Sequence, residues 1–365
     1  MSAREGRAVN DRRLRAPAAP PRQPLRQNNF DLLRFVFAFM VFLVHAHVLS
    51  GVQEFGVFSR YLSSDFAVKS FFVVSGFLIF MSYENSRSVP AYFGKRIRRI
   101  YPTYAFVILA SVVLGAFFSS FALSDYWSLP LLKYIAANLL FLNFLQPDLP
   151  GLFQHSAYQA VNGALWTLKI EVMFYLLVPL AVMAFARLGR LPVLALLYVG
   201  SVIYSAGMGT LAAQTGSGLY FELQRQLPGQ LCFFVAGAAA YYYFTHLSRY
   251  ALPLMIAAVT AFVLQDWLPW MLVQPLALGV VVVYLACFLP YLGNFGKYGD
   301  FSYGIYIVHF PVLQLLIASG RYDDVPWLML LSAMALVVTT AILLWHFIEK
   351  PFLRRSSHYV ETNRV

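Results

Sequence analysis

Two costly side chains share one face of a membrane-length apolar run. Phe30 to Ser50 reads FDLLRFVFAFMVFLVHAHVLS, with Arg34 near its start and His45 and His47 deeper in. A crossing helix needs about 20 apolar residues, and a charge at membrane depth costs at least ~2.5 kcal/mol. Arg34 and His45 are eleven residues apart, which is three turns plus roughly 20°, or about 16 Å along a helix axis. His47 points roughly 200° away from His45. One face therefore offers a cation toward one membrane surface and an acid/base group near the middle. A polar pair kept at that cost is a candidate site for proton transfer to or from a bound ligand.

Further polar groups stand inside other apolar runs. Glu171 lies two turns into the run that begins Leu165-Trp166-Thr167-Leu168, with Tyr175 at i+4 on its face. An intramembrane acid pairs with a cation or contacts a polar substrate. Trp166 alone is an interfacial belt residue. Ser302, Tyr306 and His309 stack near one face of a later span. Ser75-Gly76 is either a close-packing pair or a notch past which a flexible chain threads. Lys95, Arg96, Arg98 and Arg99 are either a topology anchor or a polyphosphate site, with Arg96 and Arg99 expected to face one way. Cys232 and Cys287 sit in apolar runs, and no spacing links His155, His246 or His346 into a metal site. No metal is expected.

These groups need a scaffold, and composition supplies its class. The chain is 60% hydrophobic and 12% charged, against about 25% charged in a soluble domain. The expected fold is an all-α polytopic integral membrane protein. Ten spans are read at 30–51, 66–83, 101–121, 164–186, 191–211, 229–245, 251–267, 270–292, 301–319 and 325–348. Residues 129–146 are apolar but carry Lys133, Asn138 and Asn143, and read as a re-entrant or interfacial helix. Residues 1–27, with seven Arg and four Pro, read as a disordered basic tail resting on membrane lipid. Residues 28–355 form the membrane domain, and 356–365 a second tail. With the amino terminus inside, 20 Lys/Arg fall on inner segments and five (Arg60, Lys69, Lys133, Arg225, Arg321) on outer ones. Both termini are then cytoplasmic. The net charge of +11 follows this topology, so no nucleic acid is expected as partner. A transporter or flippase would use the same polar residues, but no inverted repeat is visible.

In order along the chain, these pieces resemble the acyltransferase-3 family of integral membrane O-acyltransferases. The carriers are Asn29-Phe30-Asp31-Leu32-Leu33-Arg34 with His45, then Phe71-Phe72-Val73-Val74-Ser75-Gly76-Phe77, then Arg96 and Arg99-Ile100-Tyr101-Pro102. Leu165-Trp166-Thr167-Leu168 with Glu171, Phe174 and Tyr175 follows, and Ser302-Tyr303-Gly304-Ile305-Tyr306 with His309 completes the set. The match covers about residues 28–355, and Trp-Thr-Leu stands where Trp-Ser-Leu is commoner. The resemblance implies transfer of an acyl group, commonly acetyl from cytoplasmic acetyl-CoA, to a carbohydrate or glycolipid acceptor. It implies the inner membrane of a bacterium, a form without the SGNH domain fused in some members, and an open oligomeric state. His45, Glu171, Tyr306 and His309 are then the expected catalytic set, with His45 either the general base on the acceptor hydroxyl or the carrier of the acyl group in an acyl-His45 intermediate. Arg34, Ser75, Gly76, Arg96 and Arg99 are expected to hold acetyl-CoA, and Trp166, Tyr175 and His47 the acceptor.

Overall fold

The computed structural model describes residues 27–322 and 324–353. The two expected tails, apart from Gln27, lie outside them. Among the described residues the chain is helical with no strand. The helices that concern the site are α1 (Phe30–Ser50), α2 (Ser64–Glu84), α3 (Val89–Phe118), α4 (Leu129–Leu139) and α5 (Leu165–Leu188). They continue with α6 (Arg190–Thr215), α7 (Leu227–Tyr242), α8 (Ala251–Val263), α9 (Trp270–Cys287), α10 (Ser302–Ile317) and α11 (Pro326–Leu344).

Every run read as a span from sequence coincides with one of these helices. Seven of the described helices are long and apolar enough to cross a membrane, α11 counting through Phe352. The other three, α7, α8 and α10, have 16, 13 and 16 residues, below the ~20 that a bilayer asks for. The outward faces of α6 and α8 expose Leu196, Ile203, Leu252, Ile256 and Val263, which suits hydrocarbon rather than water. The molecule is an integral membrane protein.

Local chemistry sets the helix ends. Ser63 and Ser88 each accept a backbone N–H as amino-terminal caps, from Phe66 at 3.1 Å and Ala91 at 3.3 Å. Gly51, at φ 70°, closes α1 in the left-handed region. α3 begins twelve residues before the expected span. Its 30 residues reach about 45 Å, so Lys95–Arg99 lie on the helix itself rather than ahead of it. α4 has only 11 residues, about 16 Å, too short to cross, and it packs on α3. α11 continues through one π-helical turn, Trp345–Glu349.

The bundle centre is built by α1, which packs on α2 and α10, and by α7, which packs on α2 and α6. Asn29 pins the start of α1. Its Nδ2 donates to the carbonyls of Leu285 (3.3 Å) and Pro290 (3.1 Å), and its Oδ1 accepts from Leu292 N–H at 3.0 Å.

Candidate active site

The centre of the site is a pair of imidazoles. Nδ1 of His45, on α1, lies 2.8 Å from Nε2 of His309, on α10. Nδ1 of His309 lies 2.7 Å from the Tyr306 carbonyl oxygen. A carbonyl only accepts, so the neutral His309 ring carries its proton on Nδ1 and offers Nε2 as acceptor. His45 must then donate from Nδ1, which leaves the lone pair on its own Nε2. His309 is fully buried, and the edge of Phe310 packs against the His45 ring at 5.7 Å. Asn162 steadies the same stretch by donating to the Ile307 carbonyl at 2.7 Å. The arrangement makes His45 an oriented base with one free nitrogen.

Two cavities adjoin Tyr306, and one of them reaches His45. The larger, about 430 Å³, is lined by His45, Trp166, Arg225, Gln224, Gln230 and Lys69, among others. The smaller, about 50 Å³, is lined by Arg34, Ser75, Thr167, Glu171, Ser302 and Tyr303, among others. Val68 and Tyr306 line both. The Tyr306 hydroxyl meets Thr167 Oγ1 at 2.7 Å, so a single hydrogen-bonded phenol stands where they meet. In the smaller cavity Glu171 Oε1 accepts from the Tyr175 hydroxyl at 2.5 Å and from Ser75 Oγ at 3.4 Å.

Below the smaller cavity runs a chain of ion pairs. Arg34 and Arg99 both donate to Asp300 Oδ2. Arg99 also donates to Glu349 Oε2 at 2.7 Å. Asp300 Oδ1 accepts from the Ser302 backbone N–H at 3.1 Å and from its hydroxyl. Burial alone would raise the Asp300 carboxyl, but the two guanidiniums and Ser302 outweigh it and hold the group below its ordinary value. A carboxylate held low binds fewer protons folded than unfolded. Its stabilisation is therefore fully present above about pH 4 and is lost as pH falls through the folded value. Thermal unfolding in detergent should show this. Below about pH 4 the wild type should lose stability more steeply than Asp300→Asn, and parallel curves would refute the assignment.

The sequence profile of the acyltransferase domain family matches residues 27–346. The chain belongs to that family. It is 28% identical over 339 residues to the O-acetyl transferase of Shigella phage Sf6, covering 91% of this chain and 98% of the relative. It is likewise 28% identical over 367 residues to Nodulation protein 10 of Rhizobium leguminosarum bv. viciae, covering 90% and 94%. No solved structure matches the chain.

In this acyltransferase the residues singled out by sequence divide into those that meet and those that do not. His45, Tyr306, Thr167, Ser75, Glu171 and Trp166 line the two cavities, and His309 stands behind them against His45. Tyr175 sits beside Glu171 and the Arg96 guanidinium (5.9 Å from its ring), not beside Trp166. Arg96 and Arg99 do not share a partner: Arg96 donates to Ser82 Oγ at 3.1 Å, while Arg99 turns to Asp300 and Glu349. Two expected positions lie away from both cavities. Gly76 is a packing residue, because its Cα faces the α7 backbone rather than a cavity. His47 belongs to the end of α1, where Nδ1 lies 3.1 Å from the Val52 carbonyl, and it lines neither of the two cavities. Sequence reading missed Asp300 and the charge-pair role of Glu349, and it counted Arg225 only as an outer charge. Arg225 lies 4.2 Å over the Trp166 ring. No group of three or more His, Cys, Asp or Glu among the described residues is placed to hold a metal ion.

Proposed function

We propose that this acyltransferase moves an acyl group, acetyl in the simplest case, from cytoplasmic acyl-CoA to a hydroxyl of a carbohydrate or glycolipid acceptor in a bacterial inner membrane. The observation that carries the reading is the oriented His45–His309 pair, whose free Nε2 belongs to a residue lining the larger cavity. The acceptor hydroxyl gives its proton to His45 Nε2 as its oxygen attacks the thioester carbonyl. The C–O bond forms, the C–S bond breaks, and the departing thiolate takes the proton back. A positioned histidine base supplies about 10²–10⁴-fold. Asymmetry of Lys and Arg supports a cytoplasmic Arg34 end, where the basic turn of α3 and Arg96 in particular would meet the donor's phosphates. The thioester arm would enter by way of Ser75 and Glu171. The name of the phage relative supports acetyl as the group moved.

The acceptor belongs on this reading in the larger cavity, with Trp166 and Arg225 as its platform. Trp166→Ala should raise the acceptor KM about tenfold, the loss of one partly desolvated ring contact, with the acyl-CoA KM unchanged. Steady-state kinetics with each substrate varied in turn check this.

The direct test is mass spectrometry of surface glycans with and without the protein, together with free-thiol release by the purified protein supplied with acetyl-CoA and those glycans. A mass difference of one acyl group is expected. A protein that neither binds acetyl-CoA nor releases thiol would return the chain to the transporter reading.

A further inference from the structure

α1 and α10 touch through two polar rungs, and this inference about them rests on the acyl-transfer reading above. At the first rung Arg34 donates to Asp300, and at the second His45 Nδ1 meets His309 Nε2 at 2.8 Å. Both pairs ascend in sequence, so the two segments run in the same direction. Eleven residues separate the rungs on α1 and nine on the other chain segment, about 16 and 13 Å of helix, and the long Arg34 side chain closes the difference. Between the rungs the buried residues include the apolar Ala38, Val41, Ile305 and Val308, and the buried Gln314 farther along α10 donates to the Tyr158 and Ala160 carbonyls rather than to α1. Apolar packing tolerates a shift along the axis, whereas charged and hydrogen-bonded pairs do not.

Asp300 is central to the first rung. One oxygen takes Arg34 and Arg99, and the other accepts both the N–H and the hydroxyl of Ser302, the first residue of α10. The same carboxylate thus fastens the start of α10 to α1 and α3. Tyr306, one turn above Ser302, holds His309 Nδ1 through its carbonyl, so any displacement of the start of α10 is passed to the imidazole. We propose that Asp300 is a positioning residue: with Arg34 it fixes the axial register of α10 on α1, so that His309 presents Nε2 to His45. Arg34 then acts on the chemistry through Asp300 rather than through the donor.

Asp300→Asn keeps shape and the Oδ1 acceptor while removing the charge that holds Arg34. With acetyl-CoA and the unacylated glycan as substrates, D300N and R34Q should each lose about 10²-fold in kcat, the scale of a 1 Å misplacement. The acetyl-CoA KM should stay within about twofold of wild type, and the double variant should be no worse than either single. A raised acetyl-CoA KM with kcat retained, or losses that multiply, would overturn the proposal. A second arm needs no activity. In a Cys232→Ala, Cys287→Ala background, a short thiol cross-linker should join H45C to H309C efficiently in membranes, and severalfold less so once D300N is added. Equal yields would overturn the register role, whereas a wild type that moves no acyl group would instead remove the acyl-transfer reading. If D300N fails to reach the membrane, R34K, which keeps the charge but loses the fork, is read in both arms by the same outcomes.

Discussion

Replacing His309 by alanine is expected to lower acyl transfer about 10²–10⁴-fold, although His309 lines neither of the two cavities. His45 Nδ1 would lose its acceptor. The ring would then populate the other tautomer, with its proton on the nitrogen that must receive one. The buried Tyr306 carbonyl would lose its donor as well. His45→Ala should cost a similar factor by removing the base outright. Because the two rings act as a unit, the double variant should be no slower than the worse single one. Thiol-release rates at saturating acetyl-CoA decide this. An H309A variant within about threefold of wild type, well short of what a positioned base supplies, would mean that His45 needs no partner.

The largest effect on stability is expected where α2 crosses α7. A Cβ on Gly76 would stand 1.9 Å from the Phe234 carbonyl oxygen, and one on Gly237 would stand 2.0 Å from that of Val73. Overpacking typically costs 1–3 kcal/mol. Here the obstructing atoms are backbone on both sides, so Gly76→Ala and Gly237→Ala should each reach the upper end, about 3 kcal/mol. Either should sharply reduce folded protein in membranes and lower the detergent Tm. Gly200→Ala, on α6 with no atom within 4 Å of its Cβ, is the control: it should be neutral or slightly stabilising, as alanine is the better helix former by about 1 kcal/mol. Equal Tm values across the three variants would show that the crossing yields.

The phase of a helix made much of the centre legible. Arg34 and His45 share a face because eleven residues nearly complete three turns, and the short spacing of Tyr306 and His309 put them together by the same rule. Thr167 was readable as a hydroxyl but not as the partner of a phenol 139 positions away. Asp300 was hidden because its meaning depends on Arg34, 266 residues distant, and on its place just before a helix rather than within one. Glu349 was hidden too, since nothing local announces the π turn that buries it against Arg99. Arg225 follows the short helix Gly218–Gln224, where no periodicity says what lies above it. Gly76 kept two meanings until the neighbouring helix was known. Hydropathy marked where α7, α8 and α10 lie but not how short they are.

The tyrosine between the two cavities has an electrical consequence. A water-filled passage across a membrane would short-circuit the voltage held by the cell, whereas here Tyr306, tied to Thr167, lines both chambers. Carrying a charge through such a partition against the field would take about 2.3 kcal/mol per elementary charge per 100 mV. An acyl group is uncharged. If the phosphates of the donor stay at the arginine end and only the ester carbon passes the phenol, the group crosses without electrical work. Its delivery would then be indifferent to the energised state of the membrane.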